Sequence, residues 1–175
     1  MFGRSSERDP KEIFILLERL LGAIDVLAER RGMYKVETIG DQYVAVAGIP
    51  EQRTDHAIAM TKFAMDVRTK VQVLTRQLKD RLGDGTDLLS IQIGIHSGEV
   101  VAGILRGQRA RTFKLLRGKT VTMAARIMES GQGDRIHVSS ETAEMIVAAG
   151  KKSWLTERED RLDAGVEQTF FVGSS

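Results

Sequence analysis

The chain has 175 residues, 42% hydrophobic and 29% charged, the profile of a single ordinary globular domain with enough apolar material for a real core. Its net charge of +2 provides no global field for nucleic acid, and the lack of cysteine rules out disulfides, thiolate zinc sites and a cysteine nucleophile. No apolar run approaches the ~20 residues of a membrane span and the N-terminus has no secretory pattern, so no membrane contact by this chain is expected.

The first ten residues form a polar lead-in ending in Asp9-Pro10. Ile13, Leu16, Leu17, Leu20, Ile24 and Leu27 then recur at three- and four-residue steps, which predicts a helix with one buried stripe, closed by Gly32. Between positions 34 and 48 two apolar runs meet at Gly40-Asp41. A glycine followed by a polar residue predicts a two-residue type II′ hairpin turn, with Asp41 at its tip and Glu37 behind it on the incoming strand. Gly48-Ile49-Pro50 ends the hairpin, and Thr54 or Asp55 is positioned to cap a second helix. That helix carries Ala57, Met60, Ala64, Val67, Val71, Leu74 and Leu78 on one face and stops at Gly83-Asp84-Gly85.

Leu89, Ile91, Ile93 and Ile95 alternate as a half-buried strand, and a second strand over 100–105 follows the His96-Ser97-Gly98 turn. The stretch 106–119 reads as a basic loop with Arg106, Arg109, Arg111, Lys114, Arg117 and Lys119 and no acidic residue. Such charge suits a polyphosphate or a solvated surface equally; with Phe113 as its one aromatic, single-strand nucleic acid is poorly served. Gly118-Lys119-Thr120 imitates the end of a P-loop, but the motif needs glycine five positions earlier and finds Phe113. A helix over 120–128, a strand over 135–138, a helix over 141–149 and a pair of strands within 154–172 complete the chain. Two helices on one face of a mostly antiparallel sheet give an α+β architecture. His56, His96 and His137 lack metal-ligand spacing and read as structural.

The string Lys35-Val36-Glu37-Thr38-Ile39-Gly40-Asp41 is similar to the metal-binding hairpin of the class III nucleotide cyclases, the adenylyl and guanylyl cyclases. The resemblance extends, in order, through Ile93-Gly94-Ile95-His96-Ser97-Gly98-Glu99-Val100-Val101-Ala102-Gly103, Ala124-Ala125-Arg126 and Ile136-His137-Val138-Ser139, covering nearly the whole chain. It implies a ferredoxin-like βαββαβ core in one cyclase catalytic domain over 1–175. The family's opening strand, which bears its first metal-binding Asp, is expected to lie before Met1.

The resemblance also implies a chemistry and its residues. The ribose 3′-hydroxyl of GTP or ATP attacks the α-phosphate and expels pyrophosphate, assisted by two magnesium or manganese ions. Asp41 matches a metal ligand. Glu37 matches the purine-reading position, where glutamate accepts from the guanine N–H edge and so favours GTP. The second base-reading position falls on Leu115, three before Gly118, and leucine offers neither donor nor acceptor. Arg126 matches the arginine that stabilises the transition state, and Thr122 stands where the family has a ribose-orienting asparagine. The family's triphosphate-gripping lysine loop corresponds to Leu162-Asp163-Ala164-Gly165-Val166-Glu167-Gln168-Thr169, which has no lysine. A homodimer or cyclase-domain heterodimer is expected, with Glu37 and Asp41 from one protomer and Thr122 and Arg126 from the other, in a cytoplasmic setting. On the residues alone, a surface hairpin and a helix-surface arginine remain open. A non-catalytic cyclase-like domain serving dimerisation or nucleotide-binding regulation is the alternative; an RNA-binding ferredoxin-like module lacks paired sheet aromatics.

Overall fold

The computed structural model describes residues 9–104, 113–116, 118–158 and 168–173, apart from the side chains of 39, 104 and 113–116. The chain opens with α1 (Pro10–Arg31), whose first turn is capped by the Asp9 carboxylate accepting from the Lys11 N–H at 3.0 Å. Pro10 sits where its missing N–H costs nothing, and Gly32 closes the helix in the left-handed conformation at φ 67°. Leu16, Leu20, Ile24 and Ala28 are the buried positions, so the predicted stripe is present and shifted slightly to include Ala28. They pack on Phe63, Val67 and Val71 of α2 (His56–Leu82), and an Arg31–Asp66 ion pair at 2.7 Å links the two helices.

Asp55 occupies the N-cap of α2 as expected but makes no capping bond. Its two oxygens are taken instead by the Arg53 guanidinium, at 2.7 and 2.9 Å, since a bidentate charged pair outcompetes one backbone N–H.

Among the described residues the strands form three sheets. β1 (Tyr34–Ile39) and β2 (Gln42–Val46) make the hairpin. β3 (Ile93–Ile95), β6 (Ile136–Ser139), β7 (Leu155–Glu157) and β8 (Thr169–Val172) form a mixed sheet in the order β3-β6-β8-β7, with β3 and β6 parallel. β4 (Val101–Ile104) pairs with β5 (Phe113–Leu116), so part of the predicted basic loop is strand. Its residues 105–112 and 117 lie outside the described residues, as do 159–167 and with them most of the stretch matched to the lysine loop.

The expected strand from Leu89 is cut to Ile93–Ile95 for a local reason. The Asp134 carboxylate accepts from the Ile91 N–H at 3.1 Å, and the Asp134 N–H donates back to the Ile91 carbonyl at 2.8 Å. Ile91 is therefore held by a turn rather than by a ladder.

Ile95, Ile136, Val138 and Val172 face α2 and α4 (Ser140–Ala148) in a second core cluster with Ala64, Ala143 and Ile146. The opposite face is not open. It carries α3 (Lys119–Glu129), which lies between the parallel strands β3 and β6 in the chain and packs on both, so helices lie on both faces of this sheet rather than one. Gly94 makes the approach possible: a Cβ there would collide with the backbone of Ala124 and Met128. Its neighbours in the same row, His137 and Phe171, stack edge to face at 4.3 Å.

His137 is fully buried. Its Nε2 accepts from the Gln132 N–H at 3.4 Å, which places the ring proton on Nδ1, an atom with no hydrogen-bond partner among the described residues. Burial, reinforced by the Arg158 and Arg135 charges, pulls its pKa down to about 4.

Two outcomes follow from this packing. Gly94→Ala should cost roughly 1–3 kcal/mol in denaturant unfolding, because a backbone wall rather than a flexible side chain must move. The fold also favours neutral His137, so its contribution is fully present above its unfolded pKa near 6.5 and is lost as pH falls toward 4, by up to about 3 kcal/mol. Unfolding free energies measured across that window should fall with acidity, and His137→Leu should flatten the slope.

Candidate active site

The hairpin is built as its composition predicts. Ile39 pairs with Gln42, and of the two turn residues only Gly40 has positive φ, at 58°, the type II′ pattern. The register shifts between Lys35 and Glu37, leaving Val36 unmatched; this bulge re-aims the strand just before Glu37.

Asp25 on α1 braces the hairpin. Its carboxylate accepts from Tyr43 Oη at 2.8 Å and pairs with Lys35 Nζ at 2.7 Å, gripping one residue from each strand. Burial would raise the Asp25 pKa, but the Lys35 and Tyr43 hydrogen bonds outweigh it and hold the carboxyl below its usual range. Burial and the same carboxylate push the Tyr43 phenol well up, so it stays a donor.

Across from the hairpin, the turn after β3 is fixed by a hydroxyl chain. His96 Nδ1 lies 2.9 Å from Ser139 Oγ, Ser139 Oγ lies 3.3 Å from Thr142 Oγ1, and Thr142 Oγ1 donates to Ser97 Oγ at 2.9 Å. Glu141 Oε2 approaches His96 Nδ1 at 3.5 Å. Burial favours the protonated Glu141, yet the backbone N–H at the start of α4 and the Ser139 hydroxyl outweigh it and lower its pKa. Both contacts converge on one imidazole nitrogen, so this is a structural clasp and not a nucleophile–base relay. Beside it, Thr120 Oγ1 donates to the Glu99 carbonyl at 2.5 Å, fastening the first turn of α3 to the same loop.

Between hairpin, loop and α3 lies a cavity of about 400 Å³. Glu37, Asp41 and Thr122 all line it, together with Thr120 and Val121. Thr122 thus shares a cavity with Glu37 and Asp41 of its own chain. Arg126, one helical turn further on, is exposed on α3 and does not line this cavity. Leu115 lies in β5, registered opposite Ala102, with its side chain outside the described residues. His56 and His96 border the cavity, but His56 Nδ1 is engaged by the Arg53 carbonyl at 3.0 Å.

The cavity rim offers oxygen donors suited to a hard cation, Asp41 foremost. No group of three or more metal-ligating side chains occurs among the described residues. These residues therefore do not by themselves form a two-ion clamp, and no chemical step is assigned to a metal here.

The Asp25 brace and Thr120 were not foreseen from the residues. Asp25 and Tyr43 are eighteen positions apart on different elements, and no local pattern joins them. A threonine two residues before Thr122, opening an amphipathic helix, is the one signal that could have marked Thr120.

Comparison with known proteins follows the same outline. The family model for the adenylate and guanylate cyclase catalytic domain matches residues 2–172. The receptor-type guanylate cyclase gcy-28 of Caenorhabditis elegans is 32% identical over 96% of this chain, which spans 13% of that relative's length. Among solved structures, the guanylate cyclase domain of RhGC from Catenaria anguillulae in complex with GTP is 33% identical, with a TM-score of 0.76 over 97% of this chain and 88% of the other. A dimeric guanylyl cyclase domain of the RhoGC fusion protein from the aquatic fungus Blastocladiella emersonii is also 33% identical, with a TM-score of 0.76 over 96% and 86%. Motif order, fold and these matches agree: the chain belongs to the adenylate and guanylate cyclase catalytic-domain family.

Proposed function

We propose that this chain is a nucleoside triphosphate cyclase domain that binds GTP in preference to ATP and forms the 3′,5′-cyclic nucleotide and pyrophosphate. The observation that carries the reading is the meeting of Glu37 and Asp41 with the first turns of α3 on one cavity. In the reaction the ribose 3′-oxygen bonds to the α-phosphorus while the bond from that phosphorus to the pyrophosphate oxygen breaks. Glu37 accepts from the guanine N–H edge, and Thr122 orients the ribose through its hydroxyl. The N-terminal end of α3, with no acidic residue in its first turn, favours the phosphates. The GTP complex of a relative with 33% identity supports this choice of nucleotide.

Arg126 is exposed on α3 and lies outside the lining of its own chain's cavity, which suits delivery of its guanidinium to the site of a second protomer. The proposed assembly is a two-fold homodimer or a heterodimer of cyclase domains, in a cytoplasmic setting. Among the described residues no helix is long and apolar enough to cross a membrane. Magnesium or manganese enters the reading through Asp41, with the remaining ligands of a two-ion site supplied from beyond the described residues. Leu115 adds no hydrogen bond to the base, which leaves selectivity with Glu37. A second reading is a non-catalytic cyclase-like domain serving dimerisation or nucleotide-binding regulation, which the stretch matched to the lysine loop, itself without lysine, favours.

Titration with non-hydrolysable GTP and ATP analogues separates the base contact. Glu37→Lys should weaken the guanine analogue tenfold or more, because an ammonium donates where guanine also donates, and equal affinities before and after the change would remove Glu37 from the site. In an assay of cyclic nucleotide formation with magnesium or manganese, the 175-residue chain should bind GTP but turn over about 10²–10³-fold below a relative's catalytic domain. Robust turnover abolished by Asp41→Ala would show that the described carboxylate suffices.

A further inference from the structure

We propose that Asp25 is a positioning residue for nucleotide selection: it holds the Lys35 ammonium on one face of the bulged hairpin and so keeps it from the carboxylate of Glu37 on the other. The inference rests on the reading of Glu37 as the acceptor for the guanine N–H edge, and extends it to the residue that protects that acceptor. Alternate residues of a regular strand share a face, so Lys35 and Glu37 would stand side by side in an unbroken β1. A lysine there would pair with the carboxylate and present an ammonium where guanine also donates.

The bulge separates them. Directly opposed residues of an antiparallel pair lie on the same face. Lys35 is opposite Ala45 and Thr38 is opposite Tyr43, and both Tyr43 and Ala45 pack on the α1–α2 core. Glu37 is opposite Val44, one residue out of step, and so lies on the other face. With Val36 as the extra residue, a single register shift parts two side chains that stand only two positions apart in sequence.

Asp25 fixes this arrangement from both sides of the bulge. Its two oxygens bind Lys35 Nζ, at 2.7 and 2.8 Å, ahead of the bulge, and it accepts from Tyr43 Oη, opposite Thr38, beyond it. The Lys35 ammonium also sits 5.1 Å from the centre of the Tyr43 ring, so carboxylate and ring together occupy it. The Tyr43 bond alone would tie the hairpin to α1. A second grip on a lysine that is 40% exposed adds little stability; what it fixes is where the charge lies. Among the described residues Asp25 is the one carboxylate paired with Lys35, and Glu37 and Tyr43 line the cavity whereas Lys35 does not.

The test measures binding of 3′-deoxy-GTP and 3′-deoxy-ATP, which lack the attacking hydroxyl, to the whole chain. Asp25→Asn keeps the shape and the Tyr43 bond but releases the lysine. It should lower the guanine-over-adenine affinity ratio about tenfold or more, the size of one charge-assisted hydrogen bond. Asp25→Asn combined with Lys35→Met should restore the ratio, because no cation remains to be held; a purely structural role for Asp25 gives no such rescue. In NMR spectra of the free chain, contacts between the Lys35 ε-protons and the Tyr43 ring should disappear in Asp25→Asn and be replaced by contacts to the Glu37 γ-protons. Should Asp25→Asn fail to fold, the double variant decides by whether its guanine preference is kept or lost. If Glu37→Lys lowers the ratio while Asp25→Asn does not, or if the double variant gives no rescue, this proposal falls and the reading of Glu37 stands. A wild-type chain without guanine preference, or a preference indifferent to Glu37→Lys, overturns both.

Discussion

The close contact between α3 and β3 at Gly94 is the constraint on which the rest of the site depends. With no side chain at that position, the helix backbone at Ala124 and Met128 sits directly against the strand. This brings the first turns of α3 to the cavity beside β3, so that Thr120 and Thr122 line it. It also commits the α3 face of the sheet to a tight row in which His137 and Phe171 pack edge to face, both buried. A bulkier residue would lift the helix and move every group it carries.

The hairpin is held by a different kind of force. A two-stranded ribbon is marginal alone in water, and Asp25 compensates by tying both strands to α1 through a shared carboxylate. Its hydrogen bonds win over desolvation, as the lowered Asp25 pKa shows. On the far side of the cavity the Ser97–Thr142–Ser139–His96 chain does the same for the loop after β3. Glu37 and Asp41 thus project from a braced element toward a braced loop. Such bracing keeps the groups that line the cavity in fixed relative positions.

The same construction leaves the two sheet edges apart. β2 belongs to the hairpin, β3 to the mixed sheet, and the interval between them is apolar below and polar at the rim.

Much was legible in the residues because it is local. The helical stripes, the Gly32 and Gly83 stops and the Gly40-Asp41 turn each follow from short-range periodicity or from a conformation that glycine tolerates. Motif order was enough to identify the adenylate and guanylate cyclase catalytic-domain family. What only the tertiary structure decided depends on partners distant in sequence. Asp134 shortens β3 by capturing Ile91, Arg53 diverts the Asp55 carboxylate from its helix, and Asp25 finds Tyr43 across eighteen positions. Likewise Thr122 and Arg126 share one exposed side of α3, one turn apart, yet only Thr122 borders the cavity. Periodicity assigns residues to a helix, but the rotation of that helix against a sheet is set by which position lacks a side chain, and here that position is Gly94 on another element.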